Sequence, residues 1–203
     1  MKVLFITVGA VLLDVLTKLF VKGINLPSLG IQLKGMPYAS SIPILGDFLK
    51  LTFIENPGMA FGIHVNKKEY LALFTIIATV GLIFYLIRIR KESFWLRMPI
   101  ALILAGAIGN LINRVFFGVI FGYAPLLHGN VVDFIDIDFF DLQILGYNLN
   151  RWPIFNLADV FVTIGVILLL TTGKFAIAKD NDEITEQNAN EVKERVSSIN
   201  QQN

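Results

Sequence analysis

Four apolar runs divide the chain. The first extends from about Val3 to Val21 and is interrupted by Asp14 and Lys18. The second, Tyr70 to Ile87, carries no charge. The third, about Met98 to Phe121, contains Asn110, Asn113 and Arg114, and the fourth, about Phe155 to Gly173, has Asn156 and Asp159 near its start. A helix that crosses a bilayer needs about 20 predominantly apolar residues, so each run predicts a transmembrane helix. Lys2 followed by an apolar run resembles a cleaved signal sequence. Asp14 and Lys18 inside the run, with no A-x-A-like site after it, favour a retained helix instead.

The long first connection, Lys22 to Glu69, changes period. Gly30-Ile-Gln-Leu-Lys34 and Leu49-Lys-Leu-Thr-Phe53 alternate apolar and polar residues, as half-buried strands do, with Pro27, Pro37, Pro43 and Gly46 between and around them. They predict a small β-sheet on the outer membrane surface. Val131 to Leu142 alternates in part and admits a further strand. After about Ala178 the chain turns polar, rich in Asn, Gln and Glu, without an aromatic residue. The expected organisation is an all-α membrane domain over residues 1–178. It has four transmembrane helices and a small extracytoplasmic β-sheet between the first two, in an outer loop of about 22–69. A polar cytoplasmic tail over 179–203 is expected to be disordered or weakly helical.

Composition agrees with a membrane protein. Hydrophobic residues make up 55% of the 203, charged residues only 16%, against about 25% in a soluble domain. The net charge of +1 gives no sign of a nucleic-acid binder, and the absence of cysteine excludes disulfides, thiol nucleophiles and cysteine-based zinc sites. His64 and His128 lie far apart, outside the apolar runs, and read as polar loop residues; no metal or cofactor is expected. The short loop between the second and third runs holds Arg88, Arg90, Lys91 and Arg97, whereas the 122–153 connection holds only Arg151. Positive residues concentrate in short cytoplasmic loops, which places that loop and both termini in the cytoplasm. Lysines in the long first connection argue weakly the other way.

Ionisable groups inside a membrane are costly and survive when paired or functional. Asp14 and Lys18 are four apart on one helix face, which suits a self-satisfied ion pair. Asn110 and Arg114 have the same spacing, after Gly106 and Gly109, which would let another helix approach closely. Asp159 has no Lys or Arg within a turn of it on its helix, so it wants a proton or a distant partner. Asp133, in Val131-Val-Asp-Phe-Ile-Asp136, is a candidate. Two carboxylates brought together share a proton near neutral pH, and such a pair suits peptide hydrolysis. Composition does not bring them together. Asp136, Asp138 and Asp141 are rival carboxylates, expected on a solvated interfacial face.

Five short motifs then carry a resemblance. Asp14-Val-Leu-Thr-Lys18, Asn56-Pro-Gly-Met-Ala-Phe-Gly62, Gly106-Ala-Ile-Gly-Asn-Leu-Ile-Asn-Arg114, Val131-Val-Asp133 and Phe155-Asn-Leu-Ala-Asp159 stand in the order found in the lipoprotein signal peptidases, which the chain resembles up to about Ala178. The resemblance implies an intramembrane aspartic peptidase with Asp133 and Asp159 as its dyad. Asn56, Gly58, Asn110, Arg114 and Asn156 would line the site or hold substrate, with Asp14 and Lys18 in support. The implied substrate is a bacterial prolipoprotein carrying diacylglycerol on its lipobox cysteine, cut just before that cysteine without a metal. The implied location is the bacterial inner membrane, with the site near the outer face. Membrane lipid is the other expected partner, and a monomer is expected. Asn113 departs from the family's usual Asp, which removes a charge. Phe116 to Gly129 looks longer than usual and suggests an extra lip beside the site. A small transporter or proton-coupled channel is the alternative, since intramembrane Asp, Lys and Arg serve such proteins too, but no inverted repeat is visible. A structural membrane subunit would leave the Asn56 to Gly62 segment unexplained.

Overall fold

The computed structural model describes residues 2–27, 30–60, 63–64, 68–138, 142–144, 147–149 and 152–171. The polar tail, Asp141, Arg151 and the end of the fourth apolar run lie outside them.

Among the described residues, three helices are long and apolar enough to cross a membrane: α1 (Lys2–Lys22), α2 (Lys68–Arg88) and α3 (Phe94–Ile120). At 1.5 Å per residue, 21 residues reach roughly 31 Å, about the hydrocarbon thickness of a bilayer. The fourth, α4, is described over Leu157–Thr171 and is shorter. Ser93 caps α3, its hydroxyl accepting from Leu96 N, and Asn113–Phe117 within α3 form a π-helical turn.

The charged groups of α1 turn inward, and its largest apolar side chains face outward. On α1 the buried residues are Val3, Thr7, Ala10, Asp14, Lys18 and Val21, a stripe with heptad-like spacing, while Phe5 and Phe20 are 76% and 70% exposed. Water would not tolerate that distribution, whereas a bilayer covers it with acyl chains. Small residues set the packing. A Cβ on Gly106 would collide with the Ala158 carbonyl oxygen and meet Val162, and one on Gly165 would meet Pro99 O at 2.8 Å. The close approach of another helix expected at Gly106 and Gly109 is therefore present, and α4 is that helix at Gly106. Thr7 Oγ1 also donates across to Ala101 O (3.1 Å).

The β structure differs from the expectation of one sheet between the first two helices. Strands β1 (Gly23–Leu26) and β2 (Ile31–Lys34) form a separate hairpin, and β2 is exposed along its whole length rather than half-buried. The main sheet has the order β3-β4-β7. Its strands β3 (Ser41–Leu45) and β4 (Leu49–Asn56) come from the first connection, and β7 (Val131–Ile137) follows α3. The reason is hydrogen bonding: β4 has two edges, β3 satisfies one, and β7 satisfies the other. The remaining strands are two small hairpins, β5 (Met59–Ala60) with β6 (Ile63–His64), and β8 (Leu142–Ile144) with β9 (Tyr147–Leu149).

The 121–130 segment folds back on the end of α3. Gly129 N donates to Arg114 O (2.9 Å), Leu127 N to Val115 O and Tyr123 N to Gly118 O, so it satisfies carbonyls near the end of α3. Phe121 and Tyr123 also cover the Lys22 ammonium, which pairs with Glu55. The expected lip is in fact a cap on α3.

Candidate active site

Four elements converge on one cavity of about 550 Å³ lined by Asn56, Asn110, Arg114, Asp133 and Asp159 among others. The decisive local event is an isolated bridge between β7 and the segment leading into α4. Phe155 N donates to Ile135 O (3.1 Å) and Ile135 N to Phe155 O (2.7 Å). Asp133 lies two residues before this bridge and Asp159 four after it, so the bridge brings separate parts of the chain together.

Phe155-Asn-Leu-Ala-Asp159 is a helix start. Asn156 is the N-cap of α4, and its Oδ1 accepts from Asp159 N (3.2 Å). Asp159 Oδ2 accepts from Asn156 N (3.2 Å) in return, the reciprocal pattern of a capping box, with Asp in the third position. Asp14 satisfies another of the free N–H groups, its Oδ1 accepting from Ala158 N (2.9 Å). The motif thus starts the helix and aims a carboxylate into the cavity.

Asn156 has a second task. Its Nδ2 donates to Asp133 Oδ1 at 2.6 Å, so one asparagine holds both carboxylates. Asp133 is 2% exposed. Burial first, then the Asp159 charge, raise its pKa from the ordinary 3.8 to about 7, against lowering by Asn156, Asn56 and Lys18. Its strand is anchored at the start by Val132 N donating to Asn113 Oδ1 (3.1 Å).

Behind the cavity, Lys18 Nζ donates to Asp14 Oδ2 (2.8 Å) and to Asn110 Oδ1 (2.9 Å), and Asn110 Nδ2 donates to Asp159 Oδ1 (2.9 Å). The Asp14–Lys18 pair is therefore more than self-satisfied: α1 reaches α3 through Lys18 and α4 through Asp14. Arg114 faces the cavity and makes no side-chain hydrogen bond or salt bridge to the described residues, while its charge acts on both Asp133 and Asp159. Those two carboxylates, held by one asparagine, stand beside the Arg114 guanidinium in one cavity.

A family model described as signal peptidase (SPase) II matches residues 6–175. The chain belongs to the signal peptidase II family. The lipoprotein signal peptidase of Clostridium novyi (strain NT) is 34% identical over 169 residues, 83% of this chain and 94% of that one. That of Staphylococcus carnosus (strain TM300) is 35% identical, over 82% and 86%. A solved structure titled a bacterial membrane enzyme by the in meso method at 2.3 Å resolution matches with a TM-score of 0.61 and 31% identity over 89% of each chain. Family membership and the apolar helices make this a bacterial membrane protein of a peptidase family.

In this signal peptidase II chain, not every expected residue reaches the cavity wall. Asn56, Asn110, Arg114, Asp133 and Asp159 line it. Asn156, Asp14 and Lys18 stand behind it. Gly58 is buried away from it. Its φ of +121° is one that L side chains rarely adopt, a Cβ there would meet Leu71 Cδ1 at 2.6 Å, and its N–H donates to Asn56 Oδ1 (2.9 Å). Gly58 thus shapes the turn that holds Asn56. Asp136 overturns the solvated-face expectation: it is 1% exposed and accepts from Thr52 Oγ1 (2.6 Å). Alternation along β7, three residues on, puts it on the face opposite Asp133. The sequence reading missed the apolar wall, where Trp152, Pro153, Val160, Thr163 and Ile164 line the cavity. One helix face of α4 was the available signal, with Val160, Thr163 and Ile164 following Asp159 at helical spacing.

Proposed function

We propose that this chain is an intramembrane aspartic endopeptidase that removes the signal peptide from diacylglyceryl-modified prolipoproteins, cutting just before the lipidated cysteine. The observation that carries the reading is the Asn156 side chain bonded to Asp133, with the Asn156 backbone bonded to Asp159, at the wall of one cavity. The relatives named lipoprotein signal peptidase supply the substrate class.

Asp133, with its pKa near 7, is the protonated member. Its hydroxyl hydrogen-bonds the scissile carbonyl. Asp159 accepts N–H bonds on both oxygens, and it takes a proton from water as the water oxygen adds to the carbonyl carbon. The resulting oxyanion is steadied by the Asp133 proton. Asp159 then returns its proton to the leaving amine nitrogen of the cysteine as the C–N bond breaks. Arg114 and Asn56 hold peptide carbonyls. The acyl chains lie along the apolar wall, toward lipid. The chain spans the membrane four times as a monomer, with both termini in the cytoplasm and the dyad near the outer face, where water reaches it. No metal takes part.

Purified enzyme should cleave a diacylglyceryl-modified prolipoprotein and process its unmodified counterpart poorly. Asp133→Asn and Asp159→Asn should each abolish turnover, and Asp136→Asn, on the opposite face of β7, should retain it. Near-normal cleavage by either dyad variant would remove the aspartic assignment. Equal rates on the two substrates would remove the lipid from recognition.

A further inference from the structure

Lys18 has no task in the hydrolysis just described, yet it is among the most deeply buried groups of the protein, with 0% of its side chain exposed. Its neighbours show what it does. An ammonium has three donors and no acceptor. The Asn110 atom that faces it at 2.9 Å must therefore be the carboxamide oxygen. That leaves the Asn110 NH₂ on the other side, 2.9 Å from Asp159 Oδ1. Without the ammonium, the remaining hold on the orientation is Asn156 Nδ2 donating to Asn110 Oδ1 at 3.2 Å. A turned-over amide would point its oxygen at the Asp159 carboxylate.

We infer that Lys18 is a positioning residue, whose ammonium locks the Asn110 carboxamide so that its N–H is held on Asp159 Oδ1. Asp14 holds the ammonium at 2.8 Å through Oδ2 and docks α4 through Oδ1. The polarity of the chain then runs one way, from Lys18 through Asn110 to Asp159. The charged groups around it are Asp14 on α1, Arg114 on α3, Asp133 on β7 and Asp159 on α4. This inference rests on the aspartic reading, with Asp159 as the base.

Removing Lys18 alone would strand Asp14 as an unpaired buried charge, a folding defect in its own right. The test therefore uses the charge-balanced pair Asp14→Asn/Lys18→Met, together with Lys18→Gln, whose amide can still donate to both Asp14 and Asn110. Asn110→Ala and the triple variant complete a cycle. Each is assayed for kcat and KM on a diacylglyceryl-modified prolipoprotein, beside wild type and Asp159→Asn, with the thermal midpoint in detergent as a check on folding. Asp14→Asn/Lys18→Met should lower kcat by about 10–100-fold, the scale of one lost hydrogen bond to a charged group, with KM within about twofold. Lys18→Gln should recover most of the kcat. The loss from removing Lys18 should largely vanish in the Asn110→Ala background. Multiplying losses, or no recovery of kcat in Lys18→Gln, would make Lys18 a folding element only and overturn the inference. Cleavage by Asp159→Asn would remove the aspartic reading, and the relay with it.

Discussion

Asp133 is buried, faces a second carboxylate, and has a pKa of about 7. An acid whose pKa is raised by folding binds its proton more tightly in the folded state. It costs nothing below about pH 4, where both states are protonated, and its cost grows as pH rises toward 7. The full shift from 3.8 to about 7 corresponds to about 4 kcal/mol at 1.36 kcal/mol per unit, as an upper bound. Between pH 5 and 8 the share is about 2–3 kcal/mol. Asp133→Asn removes this cost while keeping the shape of the protonated acid: its Oδ1 still accepts from Asn156, and its NH₂ stands where the acid proton was. The variant should therefore be inactive yet gain on wild type as pH rises, its thermal midpoint moving up relative to wild type by about 5–10 °C between pH 5 and pH 8. Differential scanning fluorimetry in one detergent at both pH values measures this. Parallel pH curves for the two proteins would show that Asp133 carries no such cost, and the shared-proton description would fail with it.

Two further outcomes follow from packing and topology. Gly109→Ala should lower the thermal midpoint and impair cleavage, because the added Cβ collides with the Asp14 carboxylate and meets Ala158 Cβ at 3.3 Å; overpacking of this kind costs about 1–3 kcal/mol. Gly9→Ala on α1, where a Cβ meets nothing within 4 Å, should be neutral or slightly stabilising, and equal behaviour of the two would refute the close-approach argument. With no native cysteine, Asp47→Cys should react with a membrane-impermeant thiol reagent in intact cells and Ser93→Cys should not; the reverse pattern would invert the topology.

The apolar runs by themselves determined the helices, because a bilayer demands length and hydrophobicity, both of which are local properties of sequence. α1 and α2 begin and end within two residues of the expected bounds. The polar residues inside those runs were equally legible, since a charge among apolar neighbours is anomalous wherever the chain goes, and nearly all of them lie at or behind the cavity. The alternation in Leu49–Phe53 pointed to β4. What the sequence left open was pairing. Nothing local says that β7 completes the sheet begun by β3 and β4, because a strand edge accepts any suitable backbone. Nor does alternation say which of Asp133 and Asp136 faces the cavity; the Ile135–Phe155 bridge, which sets the start of α4 against β7, decides that. Asp14 and Lys18 read as a pair at helical spacing, but a spacing on one helix cannot reveal that Asp14 caps another helix at Ala158 N or that Lys18 orients Asn110. Those contacts span 144 and 92 residues of sequence, and only the close approach of α1, α3 and α4, permitted by Gly106 and Gly109, brings the donors within reach of their acceptors.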